Sequence, residues 1–187
     1  MEMAKNILTL LADGFEESEA LIPVDLLRRV GDNVILVSIK DNDLHVTSSH
    51  RVCVVADQLI ADVNINDVDA VFLPGGMPGT KNLDNCPAVH NIIDKLNAEG
   101  KLITAICAAP MILGKKNMLN DRNATCFPGF EEYLLGATVL NQHAVTDGNI
   151  ITGKGAGAGF EFGLAMVEYL HDEKTAEELS RTIQFIL

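Results

Sequence analysis

Cys107 is the residue best placed to do chemistry. It follows the apolar run Leu102–Ile106 and precedes Ala108, Ala109 and Pro110. A thiol at the junction of a buried strand and a helix, flanked by small residues, has the setting of a nucleophile elbow. Alanines stand where the hydrolase pattern has two glycines, and the same place also suits a packed structural cysteine. As a nucleophile, the thiol would face the N–H groups that open the following helix, which favour thiolate. Lowering a thiol pKa by about 3 units from about 8.5 raises the thiolate fraction at pH 7 roughly 30-fold. Nucleophilicity falls roughly 15- to 30-fold over the same shift. The attack rate therefore changes little, and what is gained is a better leaving group and an oxidisable site.

Two further stretches can serve that thiol. The acidic segment Asp13-Gly14-Phe15-Glu16-Glu17-Ser18-Glu19 suits a helix start, where carboxylates are favourable and usually solvated. One of its carboxyls, placed beside Cys107 and kept protonated by burial, would donate a hydrogen bond to the thiolate. Pro74-Gly75-Gly76 follows a strand and reads either as a plain turn or as a loop that lets backbone approach a substrate. An N–H from this loop and the N–H of Ala108 together make an oxyanion hole.

The other candidates carry less. Cys53 lies in an apolar run and is expected in the core. Cys86 precedes Pro87 at a helix start and is expected at the surface, and Cys126 is expected to be packed. No two cysteines have CxxC spacing. The five histidines, His45, His50, His90, His143 and His171, show no metal-ligand spacing, so neither metal nor cofactor is expected. Gly153-Lys154-Gly155-Ala156-Gly157 lacks Walker spacing and reads as a backbone turn before a helix.

These residues need elements to hold them. Strand-like runs occur at Asn6–Ala12, Val34–Ile39, Ala70–Leu73 and Leu102–Ile106. Shorter ones occur at 123–127, 137–140 and, after an Asp147-Gly148 turn, at Asn149–Thr152. Residues 44–56 alternate more loosely and read as an edge hairpin or an excursion. Helices are expected over Glu16–Val30, Pro87–Glu99, Met111–Lys116, Gly159–His171 and Thr175–Leu187. Pro23 should bend the first or mark its true start, and Gly31 should cap it. Alternating apolar runs and helices indicate βαβ units and a mostly parallel sheet covered on both faces. Residues 1–187 are read as one domain. In such a sheet the ligand site lies beyond the carboxyl ends of the strands. The turn after Ala12, the Pro-Gly-Gly after Leu73 and Cys107 after Ile106 all converge there.

Composition narrows the classes. The chain has 187 residues with 14 Lys+Arg against 26 Asp+Glu, a formal charge of −12. That balance argues against a dedicated nucleic-acid binder, which needs clustered cations. Four cysteines are too few for a disulfide scaffold. Met1-Glu2-Met3-Ala4-Lys5 shows no signal-peptide pattern. The longest uncharged apolar stretch, Leu102–Gly114, is too short to span a bilayer. A cytoplasmic protein with reduced thiols and no membrane partner is expected.

Taken together, Glu16-Glu17-Ser18-Glu19 with Ile22-Pro23-Val24-Asp25, Leu73-Pro74-Gly75-Gly76, Ala105-Ile106-Cys107-Ala108-Ala109-Pro110 and Gly159-Phe160-Glu161-Phe162-Gly163 resemble the ThiJ/PfpI superfamily. The resemblance runs along essentially the whole chain, in the branch of the Parkinson-disease protein deglycase and its bacterial relatives. It implies a flavodoxin-like three-layer α/β sandwich and a homodimer. It also implies that Cys107 is the reactive, oxidisable thiol, contacted by a protonated Glu19. Gly76 and Ala108 then supply oxyanion donors, with Gly75 beside them and Glu16 as a second pocket acid. The implied activity is cofactor-independent glyoxalase or deglycase chemistry on methylglyoxal or early glycation adducts. The alternative is a redox-sensing or chaperone-like stress protein that uses the same cysteine. A thiamine-biosynthesis role is a weaker implication.

Two departures qualify it. Phe127 stands where a histidine near the thiol occurs in the human member, so no Cys–His dyad can form through that position. His50 stands where relatives carry an arginine reaching across the dimer. Ala108 replaces the histidine that follows the cysteine in the proteolytic branch, which argues against peptidase activity.

Overall fold

In β1 (Asn6–Leu11) every residue but the first is buried, because the strand has two covered faces. Ile7 and Leu11 pack into one apolar cluster, Leu8 and Leu10 into the other. This period-2 division of an unbroken apolar run is what a central strand requires. A computed structural model describes residues 4–185. The chain continues through α1 (Glu17–Arg29), β2 (Asn33–Ser38), β3 (His45–Thr47), β4 (Cys53–Val55), β5 (Gln58–Leu59) and β6 (Ala70–Leu73). Then come α2 (Gly79–Asp84), α3 (Pro87–Ala98), β7 (Leu102–Ile106), α4 (Pro110–Lys115), β8 (Asn123–Ala124) and β9 (Thr138–Val139). The hairpin β10 (Ala144–Asp147) and β11 (Ile150–Gly153) leads into α5 (Gly159–Leu170) and α6 (Glu173–Thr182).

Seven strands form one sheet in the order β10-β11-β7-β6-β1-β2-β5. Every pairing in it is parallel except β10 with β11. Leu83 of α2, Val89 and Ile93 of α3, and Ile112 of α4 pack on one face. Leu27 of α1, Phe162 and Val167 of α5, and Leu179 of α6 pack on the other. This is the flavodoxin-like three-layer arrangement.

The helix ends follow local chemistry. Gly31, at φ 95, closes α1: its N–H donates to Arg28 O at 3.1 Å and that of Asp32 donates to Leu27 O at 3.1 Å. This is the Schellman pattern. α1 runs uninterrupted through Pro23 from a start at Glu17, so Pro23 does not mark its beginning. The close approach of α5 explains the burial of Pro23, since a Cβ on Gly163 would lie 3.1 Å from Pro23 Cα. The expected last helix ends at Thr182, short of Leu187, because Gln184 takes φ 60 and Phe185 N–H turns back to Ser180 O at 3.0 Å. Residues 186 and 187 of that expected helix lie outside the described residues.

Residues 45–55 form a hairpin in a separate two-stranded sheet, the excursion rather than the edge of the main sheet, which is β5. Other expectations are corrected. Cys53 is exposed rather than in the core, since that hairpin has only one covered side. Cys86 is half-buried against the core. α2 and β10 carry too little periodicity to be read from sequence.

A buried polar pair ties α5 to the start of β2. His171 Nε2 lies 3.1 and 3.0 Å from the two Asp32 oxygens, with side chains 7% and 0% exposed. Asp32 Oδ1 also accepts from Lys5 N–H at 3.0 Å, so removing His171 leaves the buried carboxylate without its counter-charge but not bare, at the low end of the usual cost, about 3 kcal/mol. His171→Ala should therefore lower the melting temperature by roughly 6–12 °C, read by thermal denaturation at neutral pH.

Candidate active site

The three loops expected at the carboxyl ends of the strands meet there. Cys107 adopts φ 65, a left-handed conformation that costs a non-glycine residue about 1–3 kcal/mol. The surroundings enforce it. Cys107 N–H donates to Gly153 O at 2.8 Å, and its carbonyl accepts from Phe127 N–H at 2.9 Å. The sharp turn after β7 is therefore an elbow, and it projects the half-buried thiol away from the strand.

Glu19 arrives from the first turn of α1. Glu16 fixes that turn as N-cap, its Oε2 accepting from Glu19 N–H and from Ser18 Oγ, both at 2.6 Å. One oxygen of the Glu16 carboxylate is thus engaged in holding Glu19. Glu19 is 2% exposed, and its Oε2 has no well-formed hydrogen-bond partner. Burial pushes the Glu19 carboxyl up to about 7, and the nearby Glu16 charge adds to the rise. Interactions with the Cys107 thiol and with the Ala156 and Gly75 N–H groups oppose that rise without reversing it.

The thiol itself differs from the sequence expectation. Burial, followed by the charge of ionised Glu19 and its hydrogen bond, pushes Cys107 up to about 12. The N–H groups of Gly76 and Ala108 face the sulfur and pull the other way. The following helix offers the sulfur little help, because α4 begins only at Pro110 and is six residues long. Its dipole is weak and stands off from the sulfur. Both groups of the pair are therefore pushed toward their protonated forms. When Glu19 is protonated, its two raising effects on the thiol vanish.

The glycines explain how backbone comes so close. A Cβ on Gly75 would collide with Glu19 Oε2, lie 2.5 Å from Cys107 Cβ and 2.8 Å from Ile106 O. Gly76 takes φ 91, and a Cβ there would collide with the Glu16 backbone N. Gly75→Ala must therefore displace the thiol or the carboxyl. A shift of about 1 Å costs on the order of 100-fold in rate, so this variant should lose at least that much kcat/KM.

His50 is not among the groups around the sulfur. Its Nδ1 lies 3.1 Å from Glu17 Oε1 of the same chain, on the exposed rim. Donor atoms of Glu16, Glu17 and His50 all lie within 4.8 Å of one another. Phe127 does sit beside Cys107, as its N–H bond shows, and contributes an exposed ring instead of a base.

The sequence reading missed the opposite wall. Gly155 and Ala156 follow β11, and a Cβ on Gly155 would lie 3.8 Å from Glu19 Oε1. With Phe127, Pro128, His143, Lys154, Gly157 and Ala158 they bound a cleft of about 390 Å³. The glycine run was the available signal, but it reads equally well as a turn.

The profile of the DJ-1/PfpI family matches residues 5–169. The chain belongs to the DJ-1/PfpI family. Drosophila melanogaster dj-1beta is 33% identical over 181 residues, with 96% of both chains covered. Arabidopsis thaliana DJ-1 homolog B is 36% identical over 178 residues, 94% of this chain. The chain spans only 40% of that longer relative, and 45% of its homolog A. A protein named a deglycase from Pyrococcus abyssi is 33% identical over 151 residues, 80% of this chain and 89% of its own. Among solved structures, oxidized Toxoplasma gondii DJ-1 superposes with a TM-score of 0.93 at 31% identity, covering 98% of this chain and 100% of that one. Among the described residues of this DJ-1/PfpI member, no helix is long and apolar enough to cross a membrane.

Proposed function

We propose that this protein is a cofactor-independent glyoxalase or deglycase that detoxifies methylglyoxal and related adducts through Cys107. One observation carries the reading: a buried carboxyl with its pKa near 7 and two backbone N–H groups converge on one sulfur. A general base is most effective when its pKa lies near the working pH. The deglycase name of the Pyrococcus relative agrees with it.

In this mechanism, ionised Glu19 takes the Cys107 proton as sulfur bonds to the aldehyde carbon of methylglyoxal. The carbonyl electron pair moves onto oxygen, which the Gly76 and Ala108 N–H groups stabilise. Glu19 returns its proton to that oxygen, giving a hemithioacetal. The carboxylate then carries the carbon-bound proton to the neighbouring carbon through an enediol. The resulting lactoyl thioester is cleaved by water, which releases lactate and restores the thiol. Deglycation uses the same groups on a glycation adduct.

The raised thiol pKa weighs against a dedicated redox sensor, whose cysteine needs thiolate character. The test is lactate formation from methylglyoxal by purified protein without glutathione. Absence of lactate across pH 6–9 overturns the reading.

A further inference from the structure

Gly155 takes φ 164, an extended conformation open to any residue, so its lack of a side chain answers to space. A Cβ there would lie 3.2 Å from Phe127 Cδ2 and 3.8 Å from Glu19 Oε1. The Phe127 ring and the buried carboxyl therefore share one side of the Gly155 backbone. The next residue, Ala156, offers its N–H to Glu19. A side chain at position 155 would push the ring outward, and glycine lets it settle against the backbone that touches the carboxyl.

The backbone of residue 127 fixes where that ring goes. Phe127 N–H donates to Cys107 O at 2.9 Å, and Phe127 O accepts from Phe130 N–H at 3.1 Å. The ring is 47% exposed, so one face meets solvent while the other lies against Gly155. Glu19, on the covered side, is 2% exposed. Charged groups on the surrounding segments are engaged elsewhere. Lys154 Nζ bonds Asn141 Oδ1, and Glu131 Oε2 accepts from Gly129 N–H at 2.7 Å. His143 Nδ1 lies 2.7 Å from Glu161 Oε1, and His50 Nδ1 lies 3.1 Å from Glu17 Oε1. The titratable side chains that act on Glu19 are Cys107 and Glu16. Both stay in place when the Phe127 side chain is changed.

We propose that Phe127 is a positioning residue for Glu19, its ring shielding the carboxyl from water and thereby tuning it as the base of the thiol site. Burial disfavours the charged form of a carboxyl, and burial is the largest influence that raises Glu19. Removing the ring admits water, which stabilises the carboxylate and moves its titration to lower pH. The role in catalysis rests on the Glu19 reading above, whereas the shielding can be tested without turnover.

Carbon NMR of the full-length protein, labelled at its glutamate carboxyls, follows that titration. The Glu19 signal is identified by its loss in Glu19→Gln. Phe127→Ala and Phe127→Asn both keep the backbone bond to Cys107, and in both the Glu19 midpoint should fall by about 1 pH unit. Phe127→Leu keeps an apolar cover, and its midpoint should stay within about 0.3 of the wild type. In turnover, the rising limb should move with the midpoint, lifting the rate at pH 6 relative to pH 8 about 5-fold in Phe127→Ala. An unchanged midpoint in Phe127→Ala and Phe127→Asn overturns the proposal, as does an equal fall in Phe127→Leu. A lack of lactate formation by the wild type would sink the base role of Glu19 while leaving the shift of its titration in place.

Discussion

Replacing Cys107 by Ser should abolish lactate formation, with kcat/KM falling at least ~10⁴-fold, as when other covalent nucleophiles are removed. The reason lies in the elbow. The sulfur is the atom toward which the Gly76 and Ala108 N–H groups and the Glu19 carboxyl all converge. A serine hydroxyl in the same place is a weaker acid and a poorer nucleophile than the thiol. The fold should be unaffected, since Cys107 is held at φ 65 by its backbone bonds to Gly153 and Phe127 rather than by its sulfur. The measurement is lactate produced per enzyme without glutathione, alongside a thermal melt showing a native-like transition. Full activity in Cys107→Ser would eliminate the thiol mechanism.

Glu19→Gln should lower kcat/KM by about 10²–10⁴, the usual weight of a positioned acid–base group. Its pH signatures are more diagnostic than its size. In the wild type, kcat/KM should rise with pH through about 7 as Glu19 ionises. That limb should disappear in the variant. Alkylation of Cys107 by iodoacetamide should move to lower pH in Glu19→Gln, because the glutamate charge that raises the thiol is gone. A shift to higher pH would instead mean that Glu19 rests protonated on a thiolate, and the base role would be wrong. Stability gives an independent check. A carboxyl raised from its ordinary 4.5 to about 7 in the native state makes folding less favourable as pH rises across that interval. The penalty is complete above pH 7 and approaches 3 kcal/mol. Glu19→Gln should therefore be more stable than wild type at pH 8 and not at pH 4. Such a gain on removing an active-site charge is the familiar exchange of stability for function.

Much of this was legible in the chain. Apolar runs of strand length, each buried on both faces, specify a parallel sheet because nothing else hides them. Cys107 with its small neighbours marked the elbow, and Gly75-Gly76 marked a close approach of backbone. Gly31 announced the end of α1. The stop of α6 could not be read, since Gln184 does a job usually given to glycine. Cys53 was misplaced because an apolar run of three residues does not show which side of a small hairpin is covered.

What the sequence determined by itself is the set of reacting types and their places at strand ends, since both follow from local pattern. Only the tertiary structure decided their protonation and their company. Burial first, then neighbouring charge, pushes both Cys107 and Glu19 toward their protonated forms. The same packing brings the Gly155-Ala156 segment to Glu19, which lies more than a hundred residues earlier in the chain. Desolvation and Coulomb interactions depend on distance through space, and no spacing along the chain encodes that distance.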